Sequence, residues 1–268
     1  MDSYICTTCG VGYAPSEDPP ERCLICEDER QYVNAKGQAW TTLEELQKGH
    51  RSDIRELEPN LIGIGATPQI AIGQRALFIA QPGGGVMWDC TPLVTDEAIA
   101  QIRVLGGLRA IAISHPHFYA SMVDWSEAFG GVPIHLHTDN APYVMRPDPA
   151  IRYFEGETLD LGQGITLIRC GGHYPGSTVL HWADGADGKG VLMTADTIMV
   201  VPDTRHMSFM HSYPNLIPLP ARAVRDIAAG VEPYAFDRMY SGWWDRVSKR
   251  DAKARLARSV ERYIAAIS

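Results

Sequence analysis

Ala110-Ile111-Ala112-Ile113-Ser114-His115-Pro116-His117-Phe118-Tyr119 joins an unbroken apolar run to two histidines one residue apart. The run from Ala110 to Ile113 has the length and continuity of a buried strand. The residues after it stand at its carboxyl end, where layered α/β proteins gather their ligands. His115 and His117, placed there, can both face one point.

Two more residues share that placement. His173 lies in Cys170-Gly171-Gly172-His173-Tyr174-Pro175-Gly176-Ser177, between two strand-like runs, where the glycines let the backbone turn tightly. Asp196 lies in Thr194-Ala195-Asp196-Thr197, just past a strand. Three imidazoles and a carboxylate suit Zn²⁺ or Fe²⁺. The bland alternative is scattered polar residues, but four residues at strand exits argue for convergence.

Outward from the histidines, 61–64, 69–72, 75–80 and 86–89 read as successive strands, punctuated by glycine. Thr95 or Asp96 caps a helix with Ile99, Ile102 and Leu105 on its apolar face, ended by Gly106-Gly107. Met122, Trp125 and Phe129 share one face of a short helix, and 132–136 is again a strand. The second half repeats the habit, with strands at 158–161, 165–169, 178–182 and 191–194. A helix follows from Pro220 to Gly230, and a last one starts near Ser248, with Leu256, Val260, Tyr263, Ile264 and Ile267 on one face. Strands then helices in each half predict two packed sheets with helices outside.

Residues 1–52 are polar and poor in branched aliphatics, too small a segment to build a sufficient core alone. Thr42-Leu43-Glu44-Glu45 reads as a capping box opening a short helix that ends at Gly49. Cys6-Thr7-Thr8-Cys9 and Cys23-Leu24-Ile25-Cys26 are two hooks whose spacing lets four thiolates close on one soft ion. A redox dithiol would sit beside a βαβ unit, and none is evident. The run Tyr4 to Tyr13, with Pro19-Pro20-Glu21-Arg22-Cys23, resembles the rubredoxin-like tail domain of rubrerythrins, in which the ion is iron. Leu24 stands where that pattern has proline, and Glu27 where it has glycine. The departure favours structural zinc, with iron left open, and four thiolates leave no open position for chemistry.

The 268 residues carry 32 acidic against 24 basic side chains, a net charge of −8, which argues against nucleic acid as a partner. No apolar run is long enough to span a membrane, and Met1-Asp2-Ser3-Tyr4 does not open a signal peptide. The clustered cysteines fit a cytoplasmic, reducing compartment better than a disulfide framework. The expected partner is a small-molecule substrate of unidentified type, with a homodimer left open.

Across residues 58–268, the order of strands, His-x-His, Gly-Gly-His and Ala-Asp resembles the metallo-β-lactamase fold superfamily. The Ser-His-Pro-His-Phe-Tyr string is similar to an uncharacterised branch of it. The resemblance implies a four-layer αββα sandwich with a small four-cysteine domain, rubredoxin-like or zinc-ribbon, over 1–52, and a metal site along one sheet edge. It also implies ligands His115, His117, His173 and Asp196. The superfamily pattern His-x-His-x-Asp-His has Tyr119 and Ala120 in its last two places. Trp243, in Tyr240-Ser241-Gly242-Trp243-Trp244, stands for its late histidine. Loss of all three second-metal ligands implies a site built for one ion. Because the cysteine and histidine sets lie far apart in sequence, they are expected to load independently.

One function that fits is a hydrolase of esters or thioesters, in which a single Zn or Fe ion generates hydroxide near neutrality. Asp196 would then orient water or accept its proton, and Tyr119 would protonate the leaving group. The alternatives are a binding module without turnover, or an iron oxidoreductase served by the rubredoxin-like head. Residues 203–214, rich in Met and aromatics, read as a packed loop or a lid, with His206 or His211 near the metal in the second case. His135 and His137 share a strand face and read as structural, and Cys90 and Cys170 as small buried hydrophobes.

Overall fold

The computed structural model describes all residues, Met1–Ser268. The chain forms two compact units, residues 1–136 with 141–153, and residues 137–140 with 154–268. Residues 1–52 lie within the first unit, together with the first strands of the region that starts at 58.

The seven-stranded sheet runs in the order Arg51–Glu58, Leu61–Thr67, Ala76–Ile79, Gly85–Trp88, Leu108–Ala112, Ile134–His137 and Ile151–Phe154. Its first four strands are antiparallel neighbours. Gly85–Trp88, Leu108–Ala112 and Ile134–His137 then pair in parallel. Parallel neighbours need crossovers, and the helices Asp96–Val104 and Met122–Ala128 supply them. Thr95 caps the first, its hydroxyl accepting from Ala98 N.

Arg51–Glu58 is a strand that the apolar pattern does not announce. It carries Arg51, Asp53, Arg55 and Glu56, the charged dressing of a sheet edge. Conversely, 69–72 is a turn rather than the expected strand. Ala71 has φ 49°, and Ile70 packs with Ile5, Leu46 and Leu93. Its apolar residues thus serve a small core that the cysteine segment shares with the sheet. Within that segment Tyr4–Cys6 pairs with Trp40–Thr42, and Thr42 caps the helix Leu43–Gly49 by accepting from Glu45 N at 3.3 Å.

The second unit holds a six-stranded sheet, ordered Thr158–Gly162, Ile165–Arg169, Thr178–Trp182, Val191–Ala195, Arg238–Ser241 and Val247–Ser248. Val191–Ala195 and Arg238–Ser241 are parallel, and helix Ala221–Val231 lies in the crossover. It packs with the last helix, Ala252–Ile267, through Val224, Ile227 and Leu256 onto Ile168, Val179, Leu192 and Met239.

Candidate metal centres

The first knuckle is a tight backbone turn. Gly10, at φ 82°, donates to Cys6 O at 2.8 Å, and Cys6 N donates to Val11 O at 3.1 Å. The second closes similarly, with Cys26 N and Glu27 N both donating to Cys23 O. The sulfurs of Cys6 and Cys26 lie 3.6 Å apart, and those of Cys9 and Cys23 3.7 Å apart. A tetrahedron with metal–sulfur arms of about 2.3 Å has edges of about 3.8 Å, whereas a disulfide is near 2.05 Å. All four thiol sulfurs fall within 4.8 Å of one another. Contact with Cys23, Cys26 and Cys9 pulls the Cys6 thiol down, and burial pushes Cys9 up. Four thiolates so close need a cation between them. Two donors address the sulfurs from outside: Gln38 Nε2 to Cys6 at 3.3 Å, and Tyr13 Oη to Cys23 at 3.4 Å. Tyr13 Oη in turn accepts from Leu24 N at 2.9 Å. Such outer contacts orient metal ligands.

The histidine turn is fixed from behind. Asp89, just past Gly85–Trp88, accepts both Ser114 N and Ser114 Oγ on one oxygen, each at 2.8 Å. That bond pair sets the backbone entering His115, which precedes a short 3₁₀ turn, Pro116–Phe118. His115 and His117 are buried, their rings 5.0 Å apart and edge to face.

His173 follows Gly171 and Gly172, both at positive φ. A Cβ on Gly172 would sit 2.8 Å from Ile227 Cδ1, and the positive φ itself disfavours a side chain there. The ring nitrogen Nδ1 of His173 lies 3.0 Å from Met210 O. A carbonyl only accepts, so Nδ1 carries the proton and Nε2 keeps its lone pair. That lone pair lies 3.8 Å from Asp196 Oδ2, at the spacing of two ligands of one ion. Asp196 leaves the strand Val191–Ala195 through Ala195, at φ 50°, and its carbonyl accepts from Tyr213 Oη at 2.9 Å.

Ligand atoms of His115, His117, His173 and Asp196 all lie within 4.8 Å of one another, and all four residues are buried. Three imidazoles and a carboxylate form a donor set that fits a divalent cation. The cysteine and histidine sets are the two groups of this kind in the chain.

The remaining histidines lie outside the histidine set. His206 pairs with Asp203 at 2.9 Å on the surface, and this bond helps to hold that carboxyl at about 2. Neither His206 nor His211 joins the histidine set. The 203–214 stretch instead supports it through Met210 O and Tyr213, which are missed in the sequence because a backbone carbonyl leaves no pattern. Asp89 is missed for a related reason, since an acid after an apolar strand resembles any turn residue. His137 bonds Gly156 O, and His181 bonds Ala235 O. Tyr119 is buried at the end of the 3₁₀ turn, where burial, then Tyr153 and Tyr143, push its phenol well up. Trp243 lies in a turn in which its carbonyl accepts Arg246 N.

No family model matches the chain. Among solved structures it is similar to the metallo-β-lactamase DIM-1 (13% identity, 81% of this chain and 98% of that one, TM-score 0.59). It is also similar to VMB-1 (14%, 81% and 99%, 0.61), and to a metallo-β-lactamase of Cronobacter sakazakii (19%, 80% and 86%, 0.51). The chain therefore has the metallo-β-lactamase fold, with a small cysteine metal-binding segment at its amino end. Over its whole length it is 48% identical to YmaE of Bacillus subtilis (strain 168), an uncharacterised protein, covering 98% of that chain. The chain belongs to the YmaE family. No helix is long and apolar enough to cross a membrane.

Proposed function

We propose that this protein is a hydrolase of small esters or thioesters, working with one divalent ion held by His115, His117, His173 and Asp196. The observation that carries the reading is the His173 arrangement. Its proton is committed to Met210 O at 3.0 Å, and its lone pair is turned towards the Asp196 carboxylate. When bound, such an ion activates water and polarises the carbonyl that is attacked. The remaining work falls to the chain. Asp196, buried and tied through its own carbonyl to Tyr213, holds the ion or takes the proton that water gives up. Tyr119 is the proposed donor to the leaving group. Burial raises its phenol, so the proton it would supply is present through the neutral range. With no second cluster of ligands to clamp the substrate, good leaving groups are favoured over amides. Zinc at the cysteine set is supported by Leu24 and Glu27, which stand where the iron-type pattern has proline and glycine.

The test is a panel of acyl esters, acyl thioesters and amides assayed with the zinc-loaded and iron-loaded chain, beside His115→Ala. Turnover of esters or thioesters that His115→Ala abolishes supports the reading. Absence of turnover with either ion, in chains shown to carry two ions, overturns it.

A further inference from the structure

The cysteine knuckles touch the segments that carry His115 and His117. Gly12, in the first knuckle, donates its N–H to Ala120 O at 3.0 Å. Ala120 stands just beyond the histidine turn at φ 42°, a conformation that a residue with a Cβ keeps only when its surroundings impose it. Gln74, itself buried, donates through Nε2 to Cys9 O at 3.2 Å. Gly10 lies so close to Pro92 that a Cβ there would meet Pro92 Cγ at 2.4 Å. Pro92 O in turn accepts Ser121 Oγ at 2.8 Å. Cys9, Gly10 and Gly12 are thus each bonded to or packed on the loops that frame the turn.

The second knuckle is tied by a charged arm to the segment Thr138–Tyr143. Arg30 gives Nε and Nη2 to the Asp28 carboxylate at 2.6 and 2.5 Å, and Nη2 also to Tyr143 Oη at 3.1 Å. The pair is mostly shielded from solvent.

We propose that the cysteine centre is the positioning support of the histidine turn. Filled, it holds Gly12 against Ala120 and Arg30 against Tyr143, and the histidine set takes its ion with the affinity this held geometry gives. Gly12 and Arg30 are positioning residues that act through the turn. The inference rests on the reading of His115, His117, His173 and Asp196 as a metal set, and it replaces independent loading with coupling. Linkage makes that coupling reciprocal in affinity. A tightly held thiolate ion can absorb such a change and stay bound.

The experiment titrates the full chain with zinc against a chromophoric chelator, with elemental analysis and hydrogen exchange over residues 113–122. Gly12→Pro removes the N–H donor, and Arg30→Gln removes the fork. Each is expected to keep the first, tightly held ion, to bind the second about tenfold more weakly, and to exchange faster over the turn. Tyr143→Phe should move the second affinity in the same direction. A purely structural weakening would lower stability without singling out the second ion. Arg30→Gln, which keeps a polar side chain in the partly buried arm, tests the coupling even if Gly12→Pro fails to fold. Unchanged second-ion affinity in Arg30→Gln overturns this inference alone. A wild-type chain that takes up one ion overturns it together with the metal reading.

Discussion

His173 gives its Nδ1 proton to the backbone carbonyl of Met210 at 3.0 Å, and Tyr213, in the same segment, gives its phenolic proton to the backbone carbonyl of Asp196 at 2.9 Å. One short stretch therefore orients two members of the histidine set from outside. Tyr213→Phe keeps the ring, which lies 5.9 Å from that of His173, and loses the bond. It is expected to cost about 1 kcal/mol in stability and to weaken zinc binding by about 10-fold or more. Denaturant titration and a chelator competition check the two effects separately.

Asp89 accepts both bonds from Ser114 on one buried oxygen. Asp89→Ala leaves a buried N–H and hydroxyl without that acceptor, at a cost of about 2–4 kcal/mol. The second ion should be lost before the protein unfolds. Elemental analysis of the folded variant at low temperature decides this.

His115→Ala and His173→Ala should each lower the content from two ions per chain to one, with the cysteine sulfurs still protected from alkylation. The converse double variant, Cys6→Ser with Cys23→Ser, gives up a metal whose binding supplies about 10–16 kcal/mol in comparable small folds. Hydrogen exchange should rise most over residues 1–50, and next over the turn that Gly12 holds. Unchanged protection in both regions would mean that the cysteine ion does not stabilise the segment.

Thiol titration has an expected order. Burial pushes Cys170 up to about 12 and Cys90 well above the usual range. Both should resist iodoacetamide at neutral pH, Cys170 reacting only as the pH nears that value. With metal bound, the native chain should show almost no fast thiol. A strong chelator should release four, from Cys6, Cys9, Cys23 and Cys26.

Restoring Tyr119→Asp with Ala120→His should not create a second metal centre without Trp243→His. Ala120 sits at φ 42° with its carbonyl committed to Gly12, so a new imidazole there starts from a constrained backbone. Tight binding of a third ion by the double variant would show that Trp243 does not stand in for the late ligand.

Both ligand sets were legible because ligation demands particular side chains: His115, His117, His173, Asp196 and the four knuckle cysteines are chemistry written directly in residue type. Thr42 was legible as a cap for the same reason, and Thr95 as one of two candidates beside Asp96. The edge strand Arg51–Glu58 was not, since its charges follow from solvent exposure and mask the alternation that marks a half-buried strand. Ile70 misled in the other direction. Its burial is real, but the partner that buries it, Ile5, lies in the cysteine segment, and one local window cannot show a contact between distant residues. Met210 O and the Ala120 backbone escape sequence reading altogether, because main-chain groups are the same at every position.

The strand Arg51–Glu58 also limits how the chain can be shortened. It covers Leu61–Thr67, pairing from Arg51 opposite Thr67 to Glu58 opposite Leu61. A protein begun at residue 58 would turn Leu61–Thr67, with its run of buried residues Leu61 to Gly65, into an open flank bearing no charged side chain. Such a flank recruits strands from other molecules. The truncated protein would therefore be expected to self-associate into insoluble material, and the charged ribbon acts in the native chain as a guard against polymerisation.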